Sequence, residues 1–560
     1  MGGHGERLGS SAAALGAVFR NANLRWLELA WTSSIVGHWA YLVAVSVYAY
    51  EAGGEKAVGL VFLLRLVPAA LVAPFAGLLA DRYPRERVLL ATNVARVTLI
   101  GAAAVAVFAD AAPEVVYALA IAAAIVTTPF RSAQAALTPA LAHSPAELTA
   151  ANAVASGIES LAVFAGPALA GAVLAASSTG VAFVLTAVLL VVSSVFVVLI
   201  DVEQVERPRR ELEAGTIVSE AFEGFRAIGK SPPLRVMMVL LTAQTAVAGA
   251  VQVFIVVVAI ELLDLGTGGV GYLNSAIGAG ALIGAVLSLS LTGARRLSPA
   301  FMVGIVLWGL PLVAVGLWPE AALALVLFAV IGLGNSLVDV TGLTLVQRAV
   351  PDDVLARVFG VIQMLWLGSL GIGAAVAPLL IDWLGIEGAL IAAGLFLPLL
   401  AVILGARLVQ IDATAKAPDP DELRLLAAVP IFTPLSGASL EHLSGRLVPL
   451  RLDRDTVIVR EGDAGDRFYI VAEGTVQVSE YGRAISELGA GGYFGEIALI
   501  RDVPRTATVT SKTPVVLYAL DREDFLAAVT SHPPSAEAAE EVVSSRLAGI
   551  PIAGARLPAG

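Results

Sequence analysis

FGEIALIRDVPRTATV, Phe494–Val509, is the stretch on which the reading of this chain turns. A Gly-Glu pair opens a short apolar turn, and nine residues after Glu496 stands Arg505, followed by Thr506 and Ala507. Backbone N–H groups at Ile497 and Ala498 would sit at the start of a helical turn, where unpaired donors attract an anion. A guanidinium at Arg505 can engage two oxygens of one phosphate, which an ammonium cannot do. Glu496 is an acceptor suited to a ribose hydroxyl, and its charge keeps it off the phosphate. The pattern therefore suits a small phosphodiester carrying a ribose hydroxyl.

Upstream lies REGDAGDRFYIVAEGTVQV, Arg460–Val478, with Gly462, Gly465 and Gly474 at places where strands must turn sharply. Alternating apolar segments predict strands over 449–452, 456–460, 468–471, 475–479, 484–488, 507–510 and 515–520. Helices are expected over 421–429, 522–529 and 536–547. From Asp419 to Leu547 the sequence resembles the cyclic nucleotide-binding domain family, an α+β fold in which an antiparallel β-roll is flanked by helices. The resemblance implies Glu496 on the ribose 2′-hydroxyl, Arg505 on the cyclic phosphate, and backbone from Gly495 to Ala498 completing the cradle, with Thr506 and Ala507 beside it. It also implies a base cap in the last helix, for which Val543, Arg546 and Leu547 are candidates. Thr506 can reach phosphate or purine and so does not choose between adenine and guanine; cAMP is placed ahead of cGMP as the regulatory ligand.

Composition divides the chain. Hydrophobic residues make up 58% of its 560 residues and charged ones only 14%, outside the range of ordinary soluble domains. The apolar excess lies before residue 410. With no cysteine, a disulfide framework, a thiolate metal site and a cysteine nucleophile are all excluded. A net charge of −11 argues against nucleic acid as partner. No phosphate-binding Gly-Lys loop, metal-spaced His cluster or nucleophile motif appears, so an enzyme, a metal and a cofactor are not expected.

Apolar runs of about 20 residues, long enough to cross a hydrocarbon core, recur about twelve times between residues 24 and 409. Cations gather in alternate breaks: Arg82, Arg85 and Arg87; Arg207, Arg209, Arg210, Arg226 and Lys230; Arg295 and Arg296; Arg348 and Arg357. The opposite breaks carry Lys56 but mainly Glu51, Asp110, Glu114, Asp264 and Glu320. The positive-inside rule then puts both termini and the C-terminal domain in the cytoplasm of an inner-membrane protein. The expected organisation is a cytoplasmic tail over 1–23, an all-α six-helix half over 24–201, an amphipathic linker over 202–233, and a second half over 234–409. A short linker over 410–420, the nucleotide-binding domain over 421–548 and a tail over 549–560 follow. Linker residues 410–420 end in Pro418 and Pro420, stiff enough for the sensor to pull on the last span.

Span count, orientation and the long central break resemble the major facilitator superfamily. Gly77-Leu-Leu-Ala-Asp81-Arg82 resembles its loop motif between helices 2 and 3, although Pro84 and Glu86 depart from it. That resemblance implies a conformational latch in which Asp81 faces the start of helix 11 and pairs with Arg357. Gly166-Pro167-Ala-Leu-Ala-Gly171 in helix 5 resembles a motif of proton-exchanging exporters. Physically, its small residues allow close helix approach and its proline a bend. The overall pattern is similar to the drug- and siderophore-efflux branch.

Ionisable groups inside spans are the first place to look for substrate and proton sites. His38, Arg65, Arg131, Glu159 and Asp339 are the candidates, with Glu159 paired to Arg131 as the coupling acid. Glu28 reads as interfacial. Trp26, Trp31, Trp308, Trp318 and Trp383 read as anchors at span ends. The sequence thus predicts a proton-coupled exporter of small amphiphilic molecules, regulated by a cytoplasmic cyclic nucleotide. Two alternatives stay open: a membrane-anchored nucleotide receptor without transport, and an exporter of the cyclic nucleotide itself. Transported substrate, oligomeric state and the sign of regulation are not legible.

Overall fold

The computed structural model describes residues 18–142, 145–201, 225–226, 228–288, 297–350, 352–414, 420–435, 437–530 and 533–547. The chain divides into two compact units, Met1–Ile411 and Asp412–Gly560.

The first unit is helical: α1 (Ala22–Arg82), α2 (Arg85–Phe108), α3 (Pro113–Leu141), α4 (Pro145–Ala176), α5 (Thr179–Val198), α6 (Pro232–Val257), α7 (Gly266–Ser288), α8 (Ser298–Leu317), α9 (Ala321–Ala349) and α10 (Asp352–Thr414). In hydrocarbon a backbone must satisfy its own polar groups, so long apolar segments fold as continuous helices. α6 continues through a π-helical turn, Val258–Leu262. Both of the longest helices break at glycine: α1 at Gly53 and Gly54, α10 at Gly385 with φ 70°. Separating their arms gives twelve helical segments among the described residues. Nine described helices are long and apolar enough to cross a membrane, making this a multi-pass membrane protein.

Backbones approach closest where glycine removes the side chain. A Cβ on Gly280 of α7 would lie 1.7 Å from the carbonyl oxygen of Ala329 on α9, and one on Gly332 would lie 1.9 Å from Ile277 O. α6 and α10 cross in the same reciprocal way, with Gly249 against Leu370 O and Gly373 against Ala246 O. The Gly166–Gly171 motif faces two helices: a Cβ on Gly166 would sit 2.6 Å from Trp39 Cβ, and one on Gly171 would sit 2.9 Å from Gly268 O of α7. Near the Gly53–Gly54 break the two halves also meet through Lys56 and Asp382 at 3.0 Å, and through Tyr50 and Glu261.

Two expectations need correction. Trp31 and Trp308 are buried at 5% and 3% exposure rather than placed at an interface. Trp31 stacks on Phe130 at 6.2 Å, and Trp308 donates to Asn335 Oδ1 at 3.0 Å. Glu28 is likewise enclosed, with neither carboxylate oxygen accepting a hydrogen bond. The helix expected over 202–233 lies largely outside the described residues, as do the side chains of Gly77, Asp81, Arg82 and Leu547.

The second unit begins with α11 (Pro420–Ala428) and α12 (Gly437–Arg446). Strands β1 (Val448–Leu452), β2 (Val457–Val459), β3 (Arg467–Glu473), β4 (Val476–Glu480), β5 (Arg483–Leu488) and β6 (Tyr493–Phe494) follow. Then come α13 (Glu496–Arg501), β7 (Thr508–Ser511), β8 (Val515–Asp521), α14 (Arg522–Thr530) and α15 (Pro533–Leu547). Two four-stranded antiparallel sheets, ordered β1-β8-β3-β6 and β2-β7-β4-β5, form a roll. Val471, Val476, Val509 and Leu517 fill its interior. On the other face of β3 and β8 the stacked rings of Phe468 and Phe525, 4.8 Å apart, join Phe432 to seat the helices. α12 and β6 were not anticipated: α12 carries Gly437 and Gly445 at its own two ends, and β6 is two residues between glycines. Burial of Leu443, and pairing of β6 with Tyr469 and Ile470, hold them.

Candidate functional site: the cassette between β6 and β7

The turn from β6 into α13 is fixed by Gly495, which caps the helix at φ 95°. An L-residue would be strained there. It would also collide, because a Cβ would lie 2.6 Å from Arg505 Nη1. The glycine thus lets the guanidinium close onto the turn. Arg505 is buried, with its side chain 3% exposed. Its Nη2 donates to Asp466 Oδ1 at 3.0 Å and to Arg467 O at 2.8 Å, and its Nη1 donates to Gly495 O at 3.2 Å. Those bonds use three of the five N–H groups of a guanidinium, leaving Nε–H and one on Nη1 for a further acceptor. Tyr469 lies beneath, 5.8 Å from Cζ to ring centroid. The backbone of Arg505 is pinned as well: its N–H donates to Asp463 O, and its carbonyl accepts from Gly462 N–H.

Glu496, the first residue of α13, is 1% exposed. Its Oε1 accepts from Arg546 Nη1 at 2.7 Å, while Oε2 has no hydrogen-bond partner. Arg546 also donates to Tyr493 O at 2.9 Å and lies 4.4 Å over the Tyr493 ring. A second ion pair, Arg501 with Glu540, ties α13 to α15. Burial pushes the Glu496 carboxyl above the usual carboxylate range; Arg546, the residue's own backbone and Arg505 pull it back. Ile497 is half-buried, Ala498 buried, Thr506 exposed and Ala507 half-buried. Val543 is fully enclosed. The structure therefore brings Gly495, Glu496, Arg505 and Arg546 together. Asp466 and Tyr493, which the sequence reading passed over, complete the surroundings.

In the helical unit, Arg131 and Glu159 meet through two contacts, Nη1–Oε1 at 2.8 Å and Nη2–Oε2 at 3.0 Å. Asp339 accepts from Asn335 Nδ2 at 2.8 Å, and Asn335 Oδ1 accepts from Gln244 Nε2 and Trp308 Nε1. Neither Gln244 nor Asn335 stood out in the sequence, because neutral amides carry no charge signal. His38 lies edge-on to Trp39 at 5.9 Å, and Arg65 stacks over Tyr41 at 5.2 Å. Arg357 is half-buried, and its expected pairing with Asp81 lies outside the described side chains.

The profile of the Major Facilitator Superfamily matches residues 29–370, and again 294–450. The chain belongs to the Major Facilitator Superfamily. The profile of the cyclic nucleotide-binding domain matches residues 449–532, so this facilitator carries such a domain at its C-terminal side. Over 128 residues it is 39% identical to a cyclic nucleotide-gated potassium channel of Rhizobium etli, covering 23% of this chain and 36% of the channel. It is 37% identical over 102 residues to a cAMP-dependent protein kinase regulatory subunit of Yarrowia lipolytica, covering 18% and 27%. The matched segment thus spans about a third of the length of these curated relatives. Among solved structures, the helical unit resembles the nucleoside transporter NupG at a TM-score of 0.58 and 13% identity, over 70% of this chain and 99% of that one. A POT family transporter gives 0.57 and 12%, over 69% and 96%. At such identity these likenesses show the fold.

Proposed function

We propose that this protein is a secondary transporter, exporting small amphiphilic molecules from the cytoplasm in exchange for protons, whose activity is set by cyclic nucleotide bound at residues 421–548. The observation that carries the proposal is the buried Arg505 guanidinium, oriented by three hydrogen bonds with two N–H groups unspent, beside a buried carboxylate at Glu496. Arg505 would take the cyclic phosphate, Glu496 the ribose 2′-hydroxyl, and backbone from Gly495 to Ala498 the remaining phosphate oxygens. Thr506 and Ala507 would border the ligand, and Arg546 and Leu547 would cover its base, with the enclosed Val543 packing beneath them. The Yarrowia lipolytica relative is named for cAMP, which favours cAMP over cGMP here. In the helical unit, Glu159 with Arg131, together with His38, Arg65 and Asp339, would serve substrate and protons. Asp81 with Arg357 would form the latch, in the inner membrane with the nucleotide domain in the cytoplasm. Because a ligand shifts an equilibrium only through differential affinity, the effect on transport should be graded, on the order of 1–3 kcal/mol. Equilibrium binding of cAMP and cGMP to the purified full chain, and flux in proteoliposomes with and without the bound nucleotide, test the proposal. Absence of saturable binding by either nucleotide removes the sensor, and identical flux in both conditions removes the regulation.

One pH effect follows from the same pair. Arg546 is the strongest influence holding the Glu496 carboxyl down against burial. A carboxyl raised in the folded state favours folding below its unfolded value and loses that contribution as pH rises through the folded value. In Arg546→Ala the upward displacement grows. The melting temperature of the nucleotide-binding domain, read in the full chain, should therefore fall more steeply than in the wild type as pH rises above the usual carboxylate range. Adding Glu496→Gln should flatten the slope; an unchanged slope in the double variant would assign the effect elsewhere.

A further inference from the structure

Among the described residues, the amino half of the helical unit holds two guanidinium groups with no carboxylate bonded to them. Arg65 and Arg96 are 4% and 3% exposed, and the Nε of each lacks a partner. Arg65 lies over the rings of Tyr41 and Phe62, at 5.2 and 5.8 Å. Arg96 donates through Nη1 to Ser34 Oγ at 2.8 Å and lies 5.8 Å from the Phe130 ring. The acids that could neutralise them are committed or out of reach: Glu159 belongs to Arg131, and Glu28 accepts from neither.

The two arginines converge on one stripe of α1. Ser34, His38 and Tyr41 recur at helical spacing, so Ser34 and Tyr41 stand about 10 Å apart along one face. Arg96 holds one end of that face and Arg65 the other, with His38 at the intermediate position on the helix. Of the other buried groups here, the donors Tyr41 Oη and Trp39 Nε1 lack a hydrogen-bond partner, as do the acceptor oxygens of Glu28 and Asn93 Oδ1. A guanidinium cannot shed its proton, and an unpaired charge in a dry interior is strongly disfavoured. Cations, unspent donors and aromatic walls in one place call for one complement, an anion with a flat apolar body.

We propose that Arg65 and Arg96, across the Ser34–His38–Tyr41 face of α1, form a binding site for an aromatic organic anion. As a cargo site this rests on the transporter reading; as a binding site it stands alone. Naphthalene-2,6-dicarboxylate, titrated against the purified full chain in nanodiscs by calorimetry and by thermal shift, is the probe. It should bind saturably and raise the melting temperature, while its neutral diamide does neither. Arg65→Gln and Arg96→Gln should each weaken binding at least tenfold. Without probe, each variant should melt at or above the wild-type temperature, since a merely structural arginine would give the reverse. Lack of saturable binding, equal binding of the diamide, unchanged binding in both variants, or variants that melt lower or fail to fold would each overturn the site. If the dicarboxylate binds but does not cross proteoliposomes, the site stands and the transporter reading falls.

Discussion

Replacing Arg505 with alanine is expected to lower the affinity of the full chain for cAMP and cGMP by roughly 30- to 3,000-fold, the cost of removing one partner of a buried charge pair. The magnitude follows from what surrounds the side chain. Its guanidinium is nearly inaccessible and already aligned by Gly495 O, Arg467 O and Asp466, so a phosphate meets a donor that needs no ordering. Arg505→Lys should fall between, because the charge survives while the fork does not. Stability should drop as well, by about 1–3 kcal/mol, as two carbonyls lose their donor. Asp466 adds little to that loss, since its side chain is 71% exposed and water replaces the arginine. Isothermal calorimetry with folded variant protein separates the two effects. Binding within threefold of the wild type would remove Arg505 from the ligand site.

Gly280→Leu is expected to prevent the carboxy half from assembling. The substituted Cβ would fall 1.7 Å from Ala329 O, and the reciprocal carbonyl of Ile277 already fills the space beside Gly332. Relief requires moving one helix backbone away from the other, so the cost should exceed about 3 kcal/mol, above the usual range for overpacking. Gly101→Ala is the control, because nothing lies within 4 Å of its added Cβ. Yield of monodisperse protein in detergent and its melting temperature are the measurements. A Gly280→Leu protein that behaves like Gly101→Ala would refute the helix crossing.

The division between membrane helices and β-roll was legible because apolar runs and alternating strands leave different periods in the sequence. Seven of the strands were placed from that alternation, and β6 was not, because two residues carry no period. Glu496 and Arg505 could be singled out because charged residues in a glycine-marked turn are conspicuous. Asp466 could not, since one more acid in Arg460–Val478 has no distinguishing spacing. Inside the helical unit, charge gave away Arg131 and Glu159, which meet as ion-pair partners. It gave no hint of Gln244 and Asn335. Trp31 and Trp308 misled because position along a span was taken for depth, whereas the packing of neighbouring helices decides which face is enclosed.

The reciprocal glycines of α6 with α10 and α7 with α9 press backbone on backbone, as Gly166 does against Val36 O in the amino half, whereas other seams are joined through side chains such as Asn93 with Ser193 and Ser193 with the Ala30 carbonyl. Substitution can retune a side-chain seam one residue at a time, but a main-chain seam tolerates only the residue it has. Variation should accordingly collect at the side-chain seams, with the glycine crossings serving as the fixed frame on which each variant is tried.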